Sequence, residues 1–277
     1  MPVPSDHHYL EKVQYKDAHN LEARIHLHQR FSTNPYGWFR WMFDQFDLPA
    51  DAKILEIGCG QGSLWAENLA RLPNGWRVTL SDFSPGMVAE AKTSTYRVQK
   101  QFRYVVSNAM VIPFPRATFD AVIANHMLYH VPDRVKVLNK VNRVLKTDGC
   151  FYASTIGENH LLELHEITAN FARTAGNYYS PALDPSGFTL ENGAAQLEPF
   201  FEQVEVRYYP DALVITNGQP LIAYILSMIP QGDSHAEDDD IAELSRSITR
   251  QIDQNGSIYI QKCSGLFVGK KRGLADE

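Results

Sequence analysis

The stretch Lys53-Ile-Leu-Glu-Ile-Gly-Cys-Gly-Gln-Gly62 decides the fold, because it joins a short apolar strand to a helix through a glycine-rich turn. Glycine lets the backbone turn tightly and approach a ligand where a Cβ atom would clash. The helix predicted over residues 63–71 begins there and offers free backbone N–H groups to a ligand. Ser63 stands where the dinucleotide-binding fingerprint has its last glycine, so a nicotinamide dehydrogenase is disfavoured.

Strand-like and helix-like segments alternate along the chain from this stretch onward. We predict further strands over 76–80, 102–106, 119–124 and 150–154, and helices over 84–98 and 133–145. Ser84 followed by Pro85 is typical of a helix N-cap and the first helical position. The alternation implies right-handed crossovers and a parallel sheet. Ligands of such sheets bind beyond the carboxyl ends of the strands, so the residues that follow each strand matter most.

Beyond residue 156 the alternation loosens. There we predict helices over 158–173, 190–197, 221–228 and 241–252, a loop over 176–187, a strand over 201–208 and a strand or hairpin over 258–268. Before the first strand, a helix over 38–46 carries Phe39, Phe43 and Phe46 on one face. We interpret that aromatic face as core packing.

The composition is that of a globular protein, with 277 residues, 21% charged residues and a formal net charge of −6. The acidic balance argues against nucleic acid as the main partner, since a basic surface normally supplies that affinity. No run approaches the roughly 18 apolar residues of a membrane span, and the start lacks a signal-peptide pattern. The three cysteines are scattered, which disfavours a disulfide framework. We therefore expect a soluble, cytoplasmic protein.

Polar residues follow the predicted second, third and fourth strands. Asp82 lies 20 residues beyond the glycine-rich turn. Its carboxylate can accept hydrogen bonds from the two hydroxyls of a ribose, a group that NAD and S-adenosylmethionine share. Asn108 follows the third strand, where an amide side chain can read an adenine edge, and Asn125 follows the fourth.

In this order and spacing, the motifs resemble the class I S-adenosylmethionine-dependent methyltransferases. The most similar branch is the small-molecule one that includes the ubiquinone/menaquinone-biosynthesis methyltransferases. The matching segments are Ile-Leu-Glu-Ile-Gly-Cys-Gly-Gln-Gly at 54–62, Ser-Asp-Phe-Ser-Pro-Gly-Met at 81–87, Asn-Ala-Met-Val-Ile-Pro-Phe at 108–114, and 119–133, which begins Phe-Asp and ends His-Val-Pro-Asp. The resemblance is close over residues 50–156 and loose beyond them. Gln61 departs from the family, where a smaller residue is common.

The resemblance implies an α/β fold with a Rossmann-like methyltransferase sheet of seven strands, of which the last is antiparallel. Residues 1–50 would form an N-terminal helical cap or lid, and residues 51–156 the core that binds S-adenosylmethionine. Residues 157–277 would complete the sheet of the same domain and add inserts that line the acceptor pocket.

The resemblance also implies which residues hold S-adenosylmethionine, whose product is S-adenosylhomocysteine. The glycines of the turn would pack against the methionine part, Glu56 would orient the turn, and Asp82 would hold the ribose. The implied cofactor-binding set is Glu56, Gly58, Cys59, Gly60, Gly62, Asp82, Phe83, Met87, Asn108, Ala109 and Asn125.

The segment after the fourth strand carries the candidates for catalysis, His126, Tyr129 and His130. Methyl transfer is an in-line displacement, for which the protein aligns the acceptor, excludes water and, for some acceptors, removes a proton. The two histidines are four residues apart and would share one face of a helix. They would position the acceptor, remove its proton or support the loop. No third ligand has a clear spacing, so no metal site is expected.

Histidines and aromatic residues are concentrated near the N-terminus, where a lid over the acceptor would lie. The lid and substrate candidates are Tyr15, His28, Arg30, Phe31 and Tyr36, joined by Tyr178 and Tyr179 from the insert after the fifth strand. An aromatic lid would attract the sulfonium of the cofactor and exclude water. The alternative is an ordinary docked helix that follows a frayed terminus.

Together these observations predict an enzyme that transfers a methyl group from S-adenosylmethionine to a small organic acceptor. Two alternatives stay open. One is an RNA or protein methyltransferase, which the acidic charge disfavours. The other is a scaffold or regulatory protein that binds S-adenosylmethionine without turnover. Intact glycine and Asp82 motifs are compatible with an enzyme and with such a binding protein.

Overall fold

The computed structural model describes residues 26–175, 187–227 and 238–271. The chain divides into two compact units, which are described separately. Among the described residues, the core unit consists of residues 36–157, 187–209 and 264–271, and the second unit of residues 26–35, 158–175, 210–227 and 238–263. Residues 36–50, expected in the N-terminal cap, are therefore grouped with the core. That the segment 1–50 acts as a lid stays a prediction.

The strands form a seven-stranded sheet with the order β3-β2-β1-β4-β5-β7-β6, of which β1 to β5 lie wholly in the core unit. The strands are β1 (Lys53–Ile57), β2 (Arg77–Asp82), β3 (Phe102–Val106), β4 (Phe119–Ala124), β5 (Leu145–Ile156), β6 (Phe201–Ile215) and β7 (Ile258–Lys271). Strands β1 to β5 pair in parallel, and β7 pairs antiparallel with β5. The predicted sheet of seven strands with an antiparallel last strand is confirmed.

The described residues include eight α-helices with defined ends. They are α1 (Trp38–Asp44), α2 (Ser63–Ala66), α3 (Pro85–Ser94), α4 (Arg134–Val144), α5 (Leu162–Ala175), α6 (Gly193–Leu197), α7 (Gly218–Ser227) and α8 (Asp238–Asn255). As predicted, Ser84 caps α3, because its side chain accepts from the Met87 N–H group. The helix predicted over 63–71 is shorter, since α2 gives way to a 3₁₀ turn at Leu69–Arg71.

Both faces of the central sheet are covered by apolar side chains. In β4, Val122 and Ala124 belong to one buried cluster, and Ala121 and Ile123 belong to another. Successive side chains of a strand point to opposite faces, so helices have to cover this sheet on both sides. Helix α1 lies in the second cluster, where Phe43 is buried. The interpretation of the aromatic face of this helix as core packing is confirmed.

The second unit has an apolar core of its own, which includes Leu27, Leu164, Leu221 and Ile248. The carboxylate of Asp211 is buried there and forms an ion pair with Lys262. Among the described residues, no helix combines the length and apolar character that crossing a membrane requires. The predicted cytoplasmic location stays a prediction.

Candidate functional site

The turn between β1 and α2 depends on glycine for two different reasons. Gly58, Gly60 and Gly62 have φ angles of 66°, 53° and 78°, in the left-handed region that other residues rarely adopt. A Cβ at Gly58 would lie 2.9 Å from Met127 Cβ, and one at Gly62 would lie 3.2 Å from Ala91 Cα. A Cβ at Gly60 would meet nothing within 4 Å. Two glycines therefore allow close packing, and the middle one borders open space.

The carboxylate of Asp82 ties this turn to the end of β2. Oδ2 accepts the Gly60 N–H group at 3.0 Å, and Oδ1 accepts the Ser84 N–H group at 2.9 Å. Burial raises the pKa of Asp82, and these backbone hydrogen bonds act in the opposite direction. A backbone hydrogen bond from Phe83 also reaches this carboxylate. A carboxylate has about four lone-pair sites, so three backbone hydrogen bonds leave acceptor capacity for a ligand.

Glu56 supports the turn from inside the protein. Its side chain is 1% exposed, and Oε2 accepts the indole N–H group of Trp65 on α2 at 2.6 Å. Burial and, to a smaller extent, the nearby charge of Asp82 raise the pKa of Glu56 to about 8, although the hydrogen bond from Trp65 acts in the opposite direction. Glu56 is therefore mainly a neutral carboxyl group at pH 7. Burial also raises the pKa of the neighbouring Cys59 thiol, which stays protonated.

The residues expected near the adenine lie beside Asp82. The Ser107 N–H group donates to the Asp82 carbonyl oxygen at 2.9 Å, which places the end of β3 next to the end of β2. Asn108 Oδ1 accepts the Met110 N–H group at 2.8 Å and thereby closes its own turn. Ala109, Phe83 and Met87 are all half-buried in this region. Their contact with an adenine stays a prediction.

A hydrogen-bond network follows β4. Asn125 Oδ1 accepts from Trp38 Nε1 at 3.1 Å and from Ser154 Oγ at 2.7 Å. Ser154 Oγ in turn accepts the His126 N–H group at 2.9 Å. The Trp38 ring lies 4.9 Å from the His126 ring, and Tyr209 contacts Trp38 edge-on at 5.4 Å.

The sequence interpretation missed Trp38 and Ser154 as parts of this site. Ser154 is the last residue of the strand predicted over 150–154 and lies near the end of β5, the neighbour of β4, so the rule that ligands bind at strand ends would have marked it. No comparable signal in the sequence points to Trp38. Its contact depends on how α1 packs against the sheet.

The structure does not place His126 and His130 on one helical face. His126 has a left-handed φ angle of 50°, and only a 3₁₀ turn, Leu128–His130, follows it. The left-handed backbone of His126 is incompatible with an α-helix, and its N–H group donates to Ser154 Oγ instead of starting a helical turn. The rings of Tyr129 and His130 lie 4.5 Å apart. Burial lowers the pKa of His130 to about 4, so this side chain is neutral at physiological pH.

Within the described residues, no group of three or more potential metal ligands lies close enough together to hold a metal ion. The lid candidates that the structure describes belong to both units. Tyr36 belongs to the core unit, is exposed, and donates to Asp44. In the second unit Phe31 is buried, and the Arg30 guanidinium lies 5.3 Å from the centre of its ring. His28 belongs to the second unit as well, and burial lowers its pKa to about 4.

Tyr15, Tyr178 and Tyr179 lie outside the described residues. The lid role of all seven candidates stays a prediction.

Comparison with protein families gives a match over the strands and turns that form this site. A family model described as a methyltransferase domain matches residues 55–153. The matched segment begins within β1 and ends within β5. It contains the glycine-rich turn, Asp82 and the segment after β4.

Two curated relatives show what the chain is similar to. It is 36% identical over 158 residues to the ubiquinone biosynthesis O-methyltransferase of Xanthomonas axonopodis pv. citri, a match that covers 54% of this chain and 65% of the relative. It is 30% identical over 146 residues to the demethylmenaquinone methyltransferase of Lactobacillus johnsonii, covering 50% of this chain and 60% of the relative. The match thus spans less than two thirds of the length of either relative.

Among solved structures, the chain is similar to phosphoethanolamine N-methyltransferase 2 of Haemonchus contortus in complex with phosphomonomethylethanolamine and S-adenosylhomocysteine. The TM-score is 0.56 at 18% identity, and the match covers 95% of this chain and 59% of that one. At this level of identity the likeness concerns the fold alone.

Proposed function

We propose that the protein transfers a methyl group from S-adenosylmethionine to a small organic acceptor, a proposal that the match of residues 55–153 to a methyltransferase domain supports. The observation that carries the proposal is the pairing of Gly60 with Asp82. The Gly60 N–H group donates to the Asp82 carboxylate at 3.0 Å, and the same glycine borders open space. A backbone that a ligand can approach closely and a carboxylate with spare acceptor capacity therefore lie side by side.

The residues present fit S-adenosylmethionine. The Asp82 carboxylate suits ribose hydroxyls, because it keeps acceptor capacity after it binds the backbone N–H groups. A turn with left-handed glycines suits close approach to the methionine part. Asn108, beside Asp82, has its Oδ1 atom engaged in its own turn, so its amide nitrogen is the end that would donate to an adenine edge.

The chemistry that follows is largely a matter of positioning. When bound, S-adenosylmethionine supplies an electrophilic methyl group on a sulfonium centre. His126 and Tyr129 would align the acceptor at the carboxyl end of β4 and help to exclude water. His130, neutral because of its burial, would accept a hydrogen bond from the acceptor. With a pKa of about 4 it is a weak base, so we assign it acceptor positioning in preference to proton removal.

A small acceptor is favoured over RNA by the net charge of −6. The two curated relatives are named as an O-methyltransferase of ubiquinone biosynthesis and as a demethylmenaquinone methyltransferase. We therefore propose a phenolic or hydroquinone-like acceptor in the cytoplasm.

The proposal is tested by calorimetry and by a labelled-methyl assay on the full chain. We expect S-adenosylmethionine and S-adenosylhomocysteine to bind with Kd values on the order of 1–100 µM. We expect label to be transferred to at least one catechol or hydroquinone in a panel that also contains amines, carboxylates, RNA and protein. Absence of binding would contradict the proposal. Binding without transfer would indicate a scaffold, and label only in RNA or protein would identify the rival enzyme class.

Substitution of His126 or His130 by alanine is expected to lower kcat by about 10- to 100-fold, because alignment of the acceptor is lost. Affinity for S-adenosylhomocysteine should change by less than about threefold, because the proposal assigns both side chains to the acceptor and not to the cofactor. Steady-state kinetics and calorimetry on the same preparations give both quantities. If both variants keep full turnover, neither histidine takes part in the reaction.

A further inference from the structure

The carboxamide of Asn125 has one end fixed by the protein. Its Oδ1 atom accepts hydrogen bonds from Trp38 Nε1 and from Ser154 Oγ. An indole nitrogen can only donate, so the Asn125 atom that faces Trp38 has to be the oxygen. The orientation of the amide therefore follows from the chemistry of its partners.

Ser154 contributes to this orientation through a single hydroxyl group. The residue is fully buried at the end of β5. Its Oγ atom accepts the His126 N–H group at 2.9 Å, and its one hydrogen donates to Asn125 Oδ1 at 2.7 Å. His126 holds a φ angle of 50°, which residues with a side chain rarely adopt. One hydroxyl thus supports the left-handed backbone of His126 and orients Asn125.

The other end of the carboxamide is available to a ligand. Among the described residues, Asn125 Nδ2 has no hydrogen-bond partner, and it is not one of the buried polar atoms left unsatisfied there. Asn125 directly follows β4, at the carboxyl end of the parallel strands. Ligands of parallel α/β sheets bind at this end.

We infer that Ser154 and Trp38 are positioning residues, which hold the Asn125 carboxamide so that Nδ2 donates to an oxygen atom of the bound ligand. The inference rests on the proposed function. The oxygen belongs either to the carboxylate of the methionine part of the cofactor or to the acceptor. Because Trp38 is the first residue of α1, docking of that helix becomes a requirement for a correctly oriented amide.

Three substitutions separate this role from general support of the fold. Asn125→Asp keeps an oxygen for Trp38 and Ser154 but replaces the donor with an acceptor. Ser154→Ala removes the hydroxyl, and Ser154→Thr restores it. Trp38→Phe keeps an aromatic ring in α1 and removes only the indole N–H group. Each variant is first checked for an unchanged melting temperature.

The probes are S-adenosylhomocysteine and 5′-methylthioadenosine, which lacks the methionine carboxylate. If the cofactor supplies the oxygen, Asn125→Asp should weaken S-adenosylhomocysteine binding by about 10- to 100-fold. Ser154→Ala and Trp38→Phe should weaken it by about three- to tenfold. Ser154→Thr should stay within about twofold of wild type, and 5′-methylthioadenosine should bind all variants equally.

If the acceptor supplies the oxygen, binding of both probes should be unchanged. The KM for the catechol or hydroquinone that wild type methylates should then rise by similar factors. The inference is overturned if both S-adenosylhomocysteine affinity and acceptor KM stay within twofold of wild type in Asn125→Asp and Ser154→Ala. It is also overturned if both probes lose affinity equally. Failure of the wild-type protein to bind S-adenosylhomocysteine would instead reject the proposed function.

Discussion

Replacement of Asp82 by alanine is expected to weaken S-adenosylmethionine binding by about 100-fold or more. The physical reason is the loss of acceptors for two ribose hydroxyls, since each hydrogen bond to a charged group contributes about 1.5–3 kcal/mol. The carboxylate also holds the Gly60 and Ser84 N–H groups, so its loss loosens the turn. Calorimetry with S-adenosylmethionine and S-adenosylhomocysteine measures the effect.

Two further variants make this result interpretable. Asp82→Asn keeps one acceptor oxygen and should fall between wild type and Asp82→Ala. Asp51→Ala removes an exposed carboxylate just before β1 and should leave cofactor affinity unchanged. A folded Asp82→Ala protein that binds the cofactor within twofold of wild type would reject the ribose role.

The second large effect concerns stability and involves Glu56. Burial raises its pKa from the ordinary 4.5 to about 8, so the folded protein retains a proton that the unfolded chain releases. The contribution of the protonated Glu56 side chain to the unfolding free energy is fully present below pH 4.5. It is lost as the pH rises through about 8, where the folded protein also releases the proton. Wild-type stability should therefore fall with rising pH across this interval.

Substitution of Glu56 by glutamine should remove this dependence, because the amide does not ionise and its oxygen still accepts from Trp65. The unfolding free energy of the variant should exceed that of wild type by an amount that grows with pH. From pH 5 to pH 9 this difference should increase by about 2–4 kcal/mol. Urea unfolding without cofactor at pH 5, 7 and 9 measures the difference. Glu90→Gln, an exposed site on α3, is the matched control. If Glu56→Gln and wild type follow parallel pH curves, the buried carboxyl is ionised throughout.

The first half of the sheet is predictable because each of its strands is a short run of apolar residues followed by glycine or polar residues. Strand β1 lies where the apolar run before the glycine-rich turn predicts it, and β3 and β4 have their predicted bounds. The glycine-rich turn and Asp82 come together because adjacent parallel strands end at the same edge. Local sequence and tertiary structure agree in this region, so the spacing of a few residues was sufficient to predict the strands and the turn between them.

Where tertiary contacts override local signals, the predictions were less accurate. The Asp148–Gly149 pair is typical of a turn, yet β5 runs from Leu145 to Ile156, with Asp148 at a φ angle of 61° and a register shift in its pairing with β4. Residues 258–268 belong to one long strand, β7, whose second half, Ser264–Lys270, pairs with Cys150–Ile156 of β5. The left-handed backbone of His126 depends on Ser154, 28 residues away in sequence.

The position of β7 also has a consequence for the order in which the protein is made. This strand is the last of the seven in the chain but lies between β5 and β6 in the sheet. On the ribosome, β1 to β5 can assemble as soon as they emerge, because each finds its neighbour among strands already made. Strand β6 emerges next and has no place in the sheet until β7 arrives, so its edge stays open to wrong pairing. The nascent chain should therefore acquire its glycine-rich turn early and complete its sheet only after residue 271 has left the exit tunnel.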